Sequence, residues 1–273
     1  MIQRSHLGVA ATGLLVALSV LAARVNAWKL LGISWVAFLA MAGGVALGRR
    51  SPGDRPWALV WGYGLASGAM VTSAAVFLVP QAIAHDPNFG GFGVAFGLLA
   101  GFAGHTVGHR LAHHDLPMGR TTAALSAHAF AAGVIIGIVY GNMPDLGPIL
   151  GLAIVSHKGP AGYAAARRLV SNGREPTALL VPAAGVGIAA ILSSLIDLPA
   201  APSVRGVVFG FAAGIFLHVA MDFLPQCELG SEVHELLTVS GDAHALLDRL
   251  RVHGVLSTAL GGVAVFLAWV VVT

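Results

Sequence analysis

The chain predicts an all-α polytopic membrane protein, and three observations carry that expectation. Hydrophobic residues fill 56% of its 273 positions and charged residues only 10%, which is the composition of a chain whose main solvent is lipid. Apolar stretches of helical spanning length recur from end to end, and a hydrocarbon layer of ~30 Å needs about 20 such residues. Glycine is abundant, with 36 residues, as suits helices that touch closely in lipid, where small side chains let backbones approach.

Taken in order, nine segments can span: 6–23, 30–48, 57–80, 90–112, 121–140, 146–166, 178–197, 204–226 and 253–273. The first also reads as a signal sequence, because Arg4 precedes an apolar run that ends in Leu21-Ala22-Ala23. Its length, with Arg24 directly after the small residues, favours a retained helix. Counting Lys and Arg by alternating side gives eleven on one side (Arg4, Arg49, Arg50, Arg55, Arg110, Arg120, Arg167, Arg168, Arg174, Arg249, Arg251) and three on the other (Arg24, Lys29, Arg205). This bias predicts a cytoplasmic N-terminus and an outside C-terminus. The longest connection, 227–252, is acidic, contains histidine and falls on the cytoplasmic side, with a surface helix expected around Glu232 to Leu250. Residues 1–273 therefore read as a single transmembrane domain in a lipid bilayer.

Several function classes lose support at this stage. The sequence pI near 9.5 reflects basic loops that set orientation, so no nucleic-acid partner is expected. The single cysteine, Cys227, excludes an intrachain disulfide and a multi-thiolate metal centre. No nucleophile elbow, phosphate-binding glycine loop or His-Glu-x-x-His helix occurs, so the chain does not read as an enzyme.

Chemistry concentrates in two short blocks. His128-Ala-Phe-Ala-Ala-Gly133 and His157-Lys-Gly-Pro-Ala-Gly162 each place a histidine inside an apolar span with a glycine five residues on. Ionisable groups at bilayer depth are costly and mark a pathway or site. A repeat accompanies them: residues 68–81, ending in Pro80-Gln81, align with 213–226, ending in Pro225-Gln226. The orientation above makes these two helices opposed, and opposed repeats around a central helix pair characterise transporters. In that alignment Ser73 and Phe77 fall opposite His218 and Asp222.

These blocks resemble the paired motifs of the ZIP (Zrt- and Irt-like protein) family of divalent metal transporters, over residues 30–273, with the first span as an extra N-terminal helix. The resemblance implies a bundle of eight core helices built as an inverted repeat around the two histidine-bearing helices. It further implies zinc or another divalent metal as transported substrate rather than a permanently bound cofactor, movement from outside to cytoplasm, a plasma-membrane location, and a homodimer among the allowed assemblies. In the family, the positions of Ala129, Ala132, Lys158 and Ala161 usually supply amide or carboxylate ligands. Both histidines, Gly133, Gly162 and Pro160 are kept here.

Read from the residues themselves, His128, His157, His218 and Asp222 form a candidate four-donor metal set, since imidazole and carboxylate suit zinc. Lys158 would compete with a cation there, and Asp222, the one acid well inside a span, is its expected partner. The bland readings stay open: interhelical hydrogen bonding for His128 and His157, structural pairing for His218 and Asp222, and a purely geometric helix break at Pro160. His105 and His109, four apart, fit a metal or haem pair but read more simply as headgroup residues beside Arg110, His113 and His114. His234, His244 and His253 read as solvated. Two further functional readings remain: a transport-inactive relative in which Lys158 takes the cation's place, and a transporter of an anion.

Overall fold

The computed structural model describes residues 2–50, 56–111, 119–143, 148–155, 157–222, 224 and 243–272. All regular structure among them is helical. The elements are α1 (Ile2–Arg24), α2 (Trp28–Arg50), α3 (Pro56–Ser73), a π segment (Ala74–Leu78), α4 (Val79–His85), α5 (Pro87–Leu111) and α6 (Arg120–Asn142). After these come α7 (Pro148–Val155), α8 (Lys158–Ser171), a 3₁₀ turn (Pro176–Leu179), α9 (Leu180–Ser193), α10 (Pro202–Asp222) and α11 (Ala243–Val272). Among the described residues, seven helices are long and apolar enough to cross a membrane: His6–Arg24, Trp28–Arg50, Trp57–His85, Leu125–Asn142, Pro176–Ser193, Pro202–Asp222 and Leu246–Val271. The chain is a polytopic helical membrane protein.

Helix also covers the other two expected spans, as α5 and as the broken pair α7 and α8. The break has a covalent cause. In a continuous helix Pro160 would donate to the carbonyl of residue 156, and it has no N–H to give. The chain restarts at His157, whose carbonyl accepts from Ala161 N at 3.0 Å. The long α3–α4 rod answers its own proline differently. Pro80 crowds the carbonyl four residues before it, and the turn ahead widens so that Val79 N–H reaches Ala74 O, five residues back. The last connection is shorter than expected. α11 starts at Ala243 and continues into the final span, because Leu247 and Leu250 are buried against Val60, with Trp57 and Leu246 packed on them. Residues 225–242, including most of the expected surface helix, lie outside the described residues.

Glycine determines which helices touch. A side-chain carbon on Gly44 or Gly48 of α2 would strike the backbone of α8 at Gly159 and Tyr163. The same is true of Gly133 and Gly137 of α6 against Val186 and Ala190 of α9, and of Gly64 and Gly68 of α3 against α11. Gly93 and Gly97 of α5 likewise meet Val207 and Phe211 of α10. In each pair residue numbers rise together along both helices, so all four pairs are parallel. By contrast, α3–α4 runs against α10: Ser67 Oγ donates to Ala220 O at 2.8 Å, whereas His85 stacks on Phe209 at the other end.

This pairing scheme is unchanged when α2 is exchanged with α9, α3–α4 with α10, α5 with α11, and α6 with α7–α8. The register is common as well. Met41 and Val186 are 145 positions apart, as are Pro80 and Pro225, and Met41 O meets Gly162 as Val186 O meets Gly133. The densest packing separates the helices into two groups: α1, α2, α6, α7, α8 and α9, and α3, α4, α5, α10 and α11. Contacts between the groups are sparser and run mainly through α3 with α7 and α8, and through α10 with α6. α1 joins the first group only, with Leu15 against Gly187.

Overpacking a close helix pair costs about 1–3 kcal/mol or more. Gly44→Ala is therefore expected to lower the thermal midpoint in detergent. Gly43→Ala, whose new methyl would meet nothing within 4 Å, is expected to leave it unchanged, and a melt of the two variants side by side checks the pair.

Candidate functional site

The helix break positions the first functional side chain. His157 precedes Lys158, the first residue of α8, is completely buried, and points at α6. His128, two turns into α6, meets it: the two Nε2 atoms are 3.1 Å apart and the ring centroids 5.3 Å, tilted by 55°. At that spacing one Nε2 donates a proton and the other accepts it. The far end of the same helix pair is tied as well, because Gly151 N of α7 donates to Tyr140 Oη of α6 at 2.9 Å. Phe216 of α10 closes the side toward the second group, its ring edge-on to His157 at 6.2 Å.

The expected four-donor set divides into two pairs. His218 and Asp222 face each other along α10, with Nε2 to Oδ2 at 3.5 Å, away from the histidine pair. The reason is angular. Phe216 is the α10 residue turned toward His157, and at about 100° per residue His218 lies on the opposite side, against Gly101 of α5. Asp222, one turn further along, follows it. Among the described residues, no three His, Cys, Asp or Glu side chains converge on one point.

The expected partnership of Lys158 is also corrected. Lys158 is buried, with 2% exposure, and no ion pair joins it to Asp222 among the described residues. The Asp222 side chain is 45% exposed and pairs instead with His218. Ala129, Ala132 and Ala161, where the resembled family carries ligands, are all buried, so methyl groups pack where donors would stand. Gly133 and Gly162 serve as close-contact points against α9 and α2, and Pro160 as the helix break.

Other histidines are placed more briefly. His105 and His109 lie in α5 and His244 in α11, but their side chains, like residues His113, His114 and His234, are outside the described set. His253 differs from its solvated expectation. Trp61 Nε1 donates to its Nδ1 at 3.1 Å and Trp57 packs edge-on at 4.4 Å. The signal was present in the sequence as two tryptophans four apart, which share one helix face, but their partner across 192 positions was not legible.

Compared with known proteins, the chain matches no family model and no curated sequence. Geometry alone therefore defines the site: an imidazole pair at the seam between two helix groups, His157 buried and His128 partly so, with a buried lysine next to it in sequence.

Asp222 is half-exposed, and its ion pair with His218 is the exposed kind that spans one helical turn, so removing the carboxylate should cost little. Asp222→Ala is expected to change stability by about 0–1 kcal/mol, far below the 3–5 kcal/mol of breaking a buried ion pair. Denaturant unfolding in detergent measures the difference.

Proposed function

We propose that the chain is a membrane transporter that moves a divalent cation, zinc above others, through a central site where His128 and His157 are the first ligands. The observation that carries this reading is the 3.1 Å approach of the two Nε2 atoms. Two nitrogens bound at ~2.0–2.1 Å to one tetrahedral zinc lie about 3.3 Å apart, so the pair already has nearly the spacing of two zinc ligands. The proton between them must leave when the ion enters. Support also comes from the pairing scheme, which makes His128 and His157 counterparts in two opposed halves, as in transporters built from inverted repeats.

On this reading the fold is a ZIP-like bundle of eight core helices, α2 to α11, with α1 as the additional N-terminal helix. The N-terminus is cytoplasmic, the membrane is the plasma membrane, and the cargo moves inward. The groups differ in how tightly they are bound internally and to each other, so relative displacement of one against the other is the motion that would expose the histidines to alternate sides.

One observation favours a second reading. Lys158 is buried beside His157, and the three alanines supply no donors or negative charge. In that form the ammonium takes the cation's place, and the chain either transports nothing or accepts an anion.

Metal uptake by reconstituted protein separates the two. His128→Ala and His157→Ala are expected to abolish zinc uptake, and uptake by the parent should fall as pH drops, since each imidazole must be neutral to ligate. A parent that takes up no zinc beside a Lys158→Glu variant that binds it would select the second reading.

A further inference from the structure

α5 and α10 carry matching ladders. Every fourth position of α5 reads Gly93, Gly97, Gly101, His105 and His109, and every fourth position of α10 reads Gly210, Gly214, His218 and Asp222. Residues four apart lie along one helix face, so each ladder runs down one side of its helix, glycines first and metal-binding residue types after them. The two ladders face each other. A carbon added to Gly210 would sit 3.0 Å from the Cα of Gly93, one added to Gly214 2.8 Å from the Cα of Gly97, and one added to Gly101 2.6 Å from the ring of His218. In all three pairs the residue numbers differ by 117, as do those of His105 and Asp222. The same register therefore sets position 105 of α5 level with Asp222 of α10, one turn beyond the His218 contact.

The gap between the helices widens along the ladders. Backbones touch at Gly93 and Gly97, an imidazole fills the space at Gly101, and a carbon on Gly104 would meet nothing within 4 Å among the described residues. His218 and Asp222 already have the geometry of two ligands, with Nε2 and Oδ2 3.5 Å apart, against about 3.3 Å for two donors on one tetrahedral zinc. The Asp222 side chain is 45% exposed and that of His218 17%, so an ion reaches the carboxylate from solvent and meets the imidazole further in.

We propose that His218 and Asp222 of α10, joined by His105 of α5 at the same register, form a second metal site, separate from the histidine pair. The donor chemistry selects the ion: two imidazoles and one carboxylate suit zinc, cobalt or nickel, whereas magnesium and calcium take oxygen ligands. Three protein ligands leave the fourth tetrahedral position to water, and that open position lets the ion exchange. The site lies wholly within the group of α3, α4, α5, α10 and α11, while His128 and His157 belong to the other. α10 itself stands between the two sites, with Phe216 turned to His157 and His218 to Gly101. The proposal does not depend on what the histidine pair carries.

Zinc content per chain, measured by plasma emission after equilibrium dialysis of the full-length protein in detergent, tests it. Asp222→Asn, which keeps the side-chain volume and loses the charge, should hold one zinc fewer than the parent, and so should His105→Gln. Asp222→His, which restores a donor, should keep the parent's count. His6→Ala, at an exposed position of α1, should leave the count unchanged. The one-zinc difference should persist in a chain that also carries His128→Ala and His157→Ala, so that failure of this site and failure of the transport reading are told apart. In that background His105→Gln should weaken zinc binding by more than the roughly 10–100-fold that loss of a ligand's outer hydrogen-bond partner costs. Equal zinc counts in the parent, Asp222→Asn and His105→Gln would overturn the proposal. A loss in Asp222→Asn that His105→Gln does not share, or that Asp222→His does not restore, would overturn it as well.

Discussion

Close backbone contact between parallel helices is the constraint on which the rest of this structure depends. Lipid tails are as apolar as leucine, so burying apolar side chains drives helix association far less than in water, and packing at short range takes over. The chain meets this with glycines at the crossing points of α2 with α8, α3 with α11, α5 with α10 and α6 with α9. Each of these contacts leaves no room for a β-carbon, and each fixes the register of its pair to a single residue.

That register is what brings the imidazoles together. Gly133 lies five residues beyond His128 and locks α6 onto α9; Gly162 lies five beyond His157 and locks α8 onto α2. With Leu15, Ser34 and Gly187 packing α1, α2 and α9 together, the two histidine-bearing helices are set against each other from behind. The site is an outcome of glycine spacing, and the 3.1 Å contact follows from it. A slip of one residue in either pair would rotate a histidine by about 100° and end the contact.

Composition and periodicity made the helical class and the seven long apolar helices readable, because each span must carry its own run of apolar residues. The histidine pair was readable for a related reason, since two ionisable groups at matching depth in apolar helices have few alternatives to one another. His218 and Asp222 were misjudged together. Position along a helix does not specify which side of α10 faces inward, and that is decided by Gly101 and Phe216 on either flank. The enclosure of His253 by Trp57 and Trp61 required a tertiary contact no local pattern encodes.

The common spacing of 145 positions has an energetic consequence. Two opposed halves of identical sequence would give the molecule two arrangements of equal free energy, one the inversion of the other, and neither membrane face would be preferred. Every difference between counterparts lifts that degeneracy. Lys158, whose counterpart is Ala129, is one of them: a single ammonium enters the dry interior from one half only, at an insertion cost of ~2.5–3.5 kcal/mol. A term of that size is one large contribution to the asymmetry of the bundle, beside His218 and Asp222, whose counterparts are Ser73 and Phe77, and α1, which has no counterpart.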